Sequence, residues 1–210
     1  MKQLILLTAS TVLLSVSSPA APCAPGTLAS YMVSAAAGCT LGNLTVSGFT
    51  YKASATGGAV EITPDQIMVE PLLAPVGSFG LQFSAPWRAV TGQTQGSVIT
   101  YKVMAQPTTT PPGNTIKELM LNGSGFTGGL ITSAIVTEGP VTSAAVSPLQ
   151  VYEKCKGATV CQTKTTAKLE LKKPAAAMVV SDNVALTAKQ GATTVGDFAD
   201  WFVVCQPCVN

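Results

Sequence analysis

The sequence predicts an all-β protein, an antiparallel β-sandwich or jelly-roll-like fold of about ten strands with one short N-terminal helix. Short segments alternate apolar and polar residues, and clusters of Gly, Pro, Ser, Thr and Asn separate them. Between no two of these segments does an amphipathic helix of about a dozen residues intervene, so a parallel βαβ sheet is disfavoured.

The elements follow in chain order. Thr27 is placed to cap a short helix in which Leu28, Tyr31 and Met32 share a face, and Gly38 is placed to stop it. Leu44 to Tyr51 reads as a strand whose phase slips at Ser47-Gly48, as a bulge would make it do. Gln66 to Leu72 follows, then Ser78 to Phe83 with Phe79, Leu81 and Phe83 on one face. Ser97 to Gln106 is the clearest strand, Ile99, Tyr101, Val103 and Ala105 alternating with Thr100, Lys102, Met104 and Gln106. Gln106 to Asn114, rich in Pro and Thr, reads as an inter-strand loop. Ile116 to Leu121, Gly129 to Thr137 and Leu149 to Glu153 come next. Cys161 to Leu171 places Ala167, Leu169 and Leu171 opposite Lys164, Lys168, Glu170 and Lys172. Met178 to Thr187 and Asp197 to Val204 complete the set.

The N-terminus opens with Lys2, continues as a largely apolar run from Leu4 to Val16, and reaches Ser18-Pro19-Ala20. This is the pattern of a secretory signal peptide, residues 1–20, and the run is too short for a spanning helix. Cleavage after Ala20 leaves 190 residues, read as one β-sandwich domain over residues 21–210. A secreted or extracellular location is expected, with the periplasm as the alternative. A lipid anchor at Cys23 is disfavoured because Pro22 stands where a small residue belongs.

Six cysteines, Cys23, Cys39, Cys155, Cys161, Cys205 and Cys208, all lie beyond the leader. An even count in an exported chain implies disulfides, and sequence separation suggests Cys23–Cys39 and Cys155–Cys161. Cys205 and Cys208 then pair with each other or cross to another pair. A redox Cys-x-x-Cys and a four-cysteine zinc site at residues 155, 161, 205 and 208 are weaker readings.

Composition removes several functions. The chain has 12 Lys or Arg, 10 Asp or Glu, no His and 47% hydrophobic residues. It is too apolar and weakly charged to be disordered, and a net charge of +2 gives no footprint for nucleic acid. Without His the commonest general base and metal ligand are missing. No Ser-x-x-Lys replaces them, and Gly123-Ser124-Gly125 is not a nucleophile elbow. Paired carboxylates would still suffice for glycoside hydrolysis. The acids available are Glu61, Asp65, Glu70, Glu118, Glu138, Glu153, Glu170, Asp182, Asp197 and Asp200, and spacing alone selects no pair.

Catalytic, cofactor-binding and metal residues are therefore assigned to none. Calcium is the one ion to consider, at Asp182-Asn183, which reads better as a turn, or at Asp197 with Asp200. Trp87, Trp201, Tyr31, Tyr51, Tyr101 and Tyr152 are read as core or interface rings, with Trp87 at a strand end as the candidate ligand-contact aromatic. The six lysines between 154 and 173 read as the charged face of an edge strand.

Pro22-Cys23-Ala24-Pro25-Gly26-Thr27-Leu28-Ala29-Ser30-Tyr31, Gly38-Cys39-Thr40-Leu41-Gly42 and Phe49-Thr50-Tyr51 resemble exported bacterial proteins of the PEP-CTERM sorting-signal group. The resemblance continues through Gly80 to Phe83 with Trp87, Ile99 to Val103, and Gly123 to Gly128. It implies an uncharacterised extracellular β-rich protein associated with the cell surface or exopolysaccharide matrix, and supplies no catalytic residues. The stretch Trp201 to Asn210 departs from that pattern, with no Pro-Glu-Pro and no basic cluster, so secretion without anchoring is expected.

The functional expectation is a non-enzymatic, disulfide-stapled surface or matrix β-sandwich whose partners are extracellular polysaccharide or surface proteins. The alternatives are a carbohydrate-binding module and a pilin-like polymerising subunit that donates a strand to its neighbour.

Overall fold

Alternation of side chains on short β-segments demands two covered inner faces, and two antiparallel sheets supply them in the computed structural model, which describes residues 20–34, 38–74, 77–108, 113–140, 148–157 and 160–205. The expected leader, residues 1–20, lies outside the described residues except for Ala20.

The chain begins with β1 (Gly26–Thr27), helix α1 (Leu28–Val33), β2 (Cys39–Leu41) and β3 (Leu44–Thr56). A single 3-10 turn at Pro64–Gln66 leads into β4 (Met68–Ala74), β5 (Ser78–Val90) and β6 (Gln93–Ala105). Next are β7 (Thr115–Ser124), β8 (Thr127–Gly128), β9 (Ile131–Pro140) and β10 (Leu149–Lys156). The last strands are β11 (Cys161–Lys164), β12 (Thr166–Ala175), β13 (Ala177–Gln190) and β14 (Ala192–Cys205). One sheet runs β1-β4-β5-β14-β7-β12, with β8 also on β14, and the other runs β11-β10-β9-β13-β6-β3-β2.

The all-β sandwich is thus as the alternation predicts, with fourteen strands instead of about ten. Three of the additions, β1, β2 and β8, are two or three residues long and carry no period to read. The fourth comes from Cys161 to Leu171, which is two strands. The chain leaves one sheet at Lys164 and joins the other at Thr166, and the Thr165 carbonyl accepts from Gly123 N at 2.9 Å where it crosses. The apolar positions of that segment, Ala167, Leu169 and Leu171, all belong to β12, and the exposed β11 has no apolar face to set it apart. The slip at Ser47-Gly48 is a bulge, seen as a register shift against β6 between Ser47 and Thr50.

Thr27 caps α1, its Oγ1 accepting from Ser30 N at 3.2 Å, and Leu28 and Tyr31 are buried. The helix ends at Val33, before the expected stop at Gly38; Ser34 closes it, donating backbone N–H to Ser30 O.

A chain of rings fills the core. Tyr31 meets Phe49 edge-on at 5.2 Å, Phe49 stacks on Tyr101 at 5.1 Å, Tyr101 adjoins Phe83 at 5.9 Å, and Phe83 stacks on Phe198 at 5.1 Å. Trp87 closes the row at 5.6 Å from Phe198. Aromatic pairs at these separations add to the burial of their own large surfaces.

Cys23 pairs with Cys39 and Cys155 with Cys161, both as sequence separation suggests. The first ties the N-terminal segment to β2, and the second closes the β10–β11 hairpin across directly facing residues. Cys205 is disulfide-bonded, and Cys208 lies outside the described residues. With Cys155 and Cys161 joined, the four-cysteine zinc set is gone.

The lysine-rich strands β11 and β12 are the edges of their respective sheets. Lys164, Lys172 and Lys173 are exposed, and Lys168 pairs with Glu118 at 2.7 Å. Charge on an open edge discourages pairing with another chain. The last described strand, β14, lies between β5 and β7.

Candidate functional site

Three carboxyl groups converge inside the sandwich. Glu138 on β9 follows Ala134 and Val136 on the inward face, and Asp182 on β13 stands between Val180 and Val184. The two strands pair with Asp182 directly opposite Glu138. Asp200, on β14 of the other sheet, points inward between Phe198 and Phe202. Its phase depends on a bulge: Thr193 and Val195 face inward before Gly196, and the even-numbered residues after it. An added Cβ at Gly196 would lie a tight 3.0 Å from Gly125 Cα, so glycine lets the two strands approach there.

All three acids are fully buried, and five of their six oxygens have no hydrogen-bond partner outside the cluster. The sixth, Asp200 Oδ2, accepts from the Tyr101 hydroxyl at 2.5 Å. Neither ion pair among the described residues, Lys117–Glu170 or Lys168–Glu118, involves them. Ionising all three would leave adjacent unpaired charges in a low-dielectric interior. Burial, with the Asp200 charge behind it, therefore holds the Glu138 and Asp182 carboxyls well above the usual range. Burial also raises Asp200, but bonds from Tyr101 and Asp182 limit the rise to about 6. Two ionised carboxylates have no proton to share; a proton on Asp182 makes the pair a donor and an acceptor. Burial, followed by these acids, pushes Tyr101 well above its normal value. The cluster is thus a polar knot that holds its protons to higher pH than exposed carboxyls do. It converges as a carboxylate pair for glycoside hydrolysis must, but in the sealed core, where no substrate reaches it.

Among the described residues an open groove lies where the chain passes between sheets, at the turn joining β5 to β6. The groove, of about 370 Å³, is bounded by Gly58 to Val60, Gln66, Pro86, Arg88, Gln93 and Gln95. Gln95, itself buried, fixes three walls together. Its Oε1 accepts from Arg88 N at 2.8 Å on β5, and its Nε2 donates to Val60 O at 2.7 Å on the loop after β3. A relay stands behind: Trp87 Nε1 donates to Ser97 Oγ at 3.1 Å, Ser97 donates to Tyr51 Oη at 2.9 Å, and Tyr51 donates to Ile62 O at 2.7 Å. The loop is also fixed at Gly57, whose φ of +67° is costly for other residues. A Cβ there would lie 2.1 Å from Gly92 O, so the loop can cross the β5–β6 turn only with glycine. Exposed Val60 and Pro86 provide apolar surface beside the polar side chains.

The expected ligand-contact ring is corrected. Trp87 is 1% exposed, inward with Ala89 and Val195, and supports the groove from below instead of touching what enters it. The strand continues past the expected end at Phe83 to Val90, which carries Trp87 along the inner face. Asp182-Asn183 is mid-strand, not a turn, with Asp182 inward and Asn183 exposed. Asp197 and Asp200 are three apart on one strand and so face opposite ways; Asp197 accepts from Ser124 Oγ at 2.7 Å. Among the described residues, no group of three or more His, Cys, Asp or Glu is placed to hold a metal.

Gln66, Arg88, Gln93 and Gln95 were not singled out by sequence pattern. A trace was present: Gln95 and Ser97 continue the inward phase of Ile99 and Tyr101, which puts polar side chains on a core-facing row. Such a row marks the end of a sandwich where the interior opens.

No protein-family model matches the chain, and no curated protein matches it. Among solved structures, the chain is similar to TmCBM61 in complex with β-1,4-galactotriose, with TM-score 0.24 and 10% identity over 74% of this chain and 88% of that one. It is also similar to a family 11 carbohydrate-binding module from Clostridium thermocellum in complex with a β-1,3-1,4-mixed-linked tetrasaccharide, with TM-score 0.23 and 10% identity over 78% and 90%.

Proposed function

We propose that this protein is an exported, non-enzymatic β-sandwich of the cell surface or extracellular matrix that binds polysaccharide in the groove at the β5–β6 turn. The observation carrying the reading is the contrast between its two polar centres. The three carboxyls that converge are sealed away, whereas the polar side chains lining the open groove are amides and a guanidinium on a braced frame. Those groups bind and orient; they do not transfer protons at neutral pH. A wall of Val60 and Pro86 suits the apolar face of a sugar ring, and Gln66, Gln93 and Arg88 suit its oxygens. The leader pattern and the disulfides support placement outside the cytoplasm. No described helix is long and apolar enough to cross a membrane.

Affinity electrophoresis through gels carrying a panel of polysaccharides tests the proposal. At least one polymer is expected to retard the protein, and the double variant Arg88→Ala, Gln93→Ala to migrate freely in it. Release of new reducing ends, or migration unaffected by every polymer, would overturn it.

A further inference from the structure

We infer that the groove selects an acidic saccharide, one bearing carboxylate groups, over its neutral counterpart; this rests on the groove being the saccharide site. The argument is an inventory of hydrogen-bonding ends. A glutamine amide has one accepting end and one donating end. At Gln66 the oxygen accepts from the Thr63 backbone N–H at 2.9 Å and from the Thr63 hydroxyl at 3.2 Å. At Gln93 the oxygen accepts from Val90 N at 3.1 Å, and at Gln95 from Arg88 N at 2.8 Å. A backbone N–H can only donate, so each of these amides must turn its oxygen inward. The Gln95 nitrogen is then used on Val60 O. The side-chain polar atoms left for a ligand are the Gln66 and Gln93 nitrogens and the Arg88 guanidinium, and all of them donate.

Arg88 is exposed and belongs to neither ion pair among the described residues. The acids on the same loop, Glu61 and Asp65, do not line the groove. A neutral sugar presents hydroxyls that need both donors and acceptors. A carboxylate is acceptor-only and matches a guanidinium fork in two parallel bonds. The free side chains of the lining, donors without exception, therefore favour the sugar with the carboxylate.

Calorimetric titration of the disulfide-intact protein decides this. The probes are a galacturonate hexasaccharide, the same hexasaccharide with its carboxyls reduced to alcohols, and a glutamate hexapeptide. The acidic sugar is expected to bind, its reduced form roughly tenfold more weakly, and the peptide more weakly than the acidic sugar. Arg88→Gln should remove most of the difference between the two sugars, while Lys172→Gln with Lys173→Gln on the β12 edge should preserve it. Equal binding of both sugars would overturn the inference and leave the groove reading standing, and binding of neither would overturn both. Peptide binding equal to the acidic sugar would overturn the choice of a saccharide. Loss of binding only in the lysine variant would move the site to the edge.

Discussion

Asp182 has no carboxyl partner other than acids, and this single residue carries a consequence for the pH dependence of folding. In the unfolded chain the three acids titrate normally; in the fold they hold their protons to higher pH. Between the two ranges the folded state binds more protons than the unfolded one, so stability falls as pH rises. The acid contribution is complete below pH about 4 and is lost through about 6 at Asp200, whose pKa rises from 3.8. A shift of this size corresponds to about 3 kcal/mol. Glu138 and Asp182, also held well above the usual carboxylate range, extend the loss as pH rises further. Thermal melts from pH 4 to 9 should show a steady decline in Tm. Asp182→Asn keeps a donor toward Asp200 but removes one ionisation, so its Tm should exceed the wild type at pH 9 and match it at pH 5. A flat wild-type profile would contradict the buried cluster. The inward placement of each acid was legible, since Asp182 shares the phase of Val180 and Val184, and Asp200 that of Phe198 and Phe202. Their meeting was not, because it depends on the β9–β13 register and on which strands face across the core.

At the scale of elements, two devices hold the groove. Gly57 lets the loop after β3 cross the β5–β6 turn, so Gly57→Ala should destabilise by about 2 kcal/mol or more in denaturant titration. Ser97→Ala leaves the buried Trp87 N–H without its partner and should cost about 1–3 kcal/mol. Disulfide reduction acts at the other elements: opening the loop between Cys23 and Cys39 should cost about 3 kcal/mol, read as a drop in Tm on adding reductant. The strands were readable wherever they exceeded about five residues, since alternation needs several repeats to show. The crossing at Thr165 and the strand length that buries Trp87 were invisible for different reasons. Before Thr165 the short, exposed β11 shows no apolar face by which a separate strand could be read, and after Phe83 Pro86 interrupts the local pattern of a real strand.

Across the whole molecule, polar groups are divided by access. Three carboxyls meet in the sealed centre, Lys164, Lys168, Lys172 and Lys173 lie on the two edge strands, and side-chain donors line the open groove. That division, instead of overall composition, is what supports the proposed binding groove. Amide chemical-shift mapping during titration with an acidic oligosaccharide tests it most directly. Perturbations are expected at Gly58 to Ile62, Gln66, Arg88 to Val90 and Gln93 to Gln95, with β11 and β12 unmoved. Perturbations centred on the lysine edges, or none at all, would contradict it.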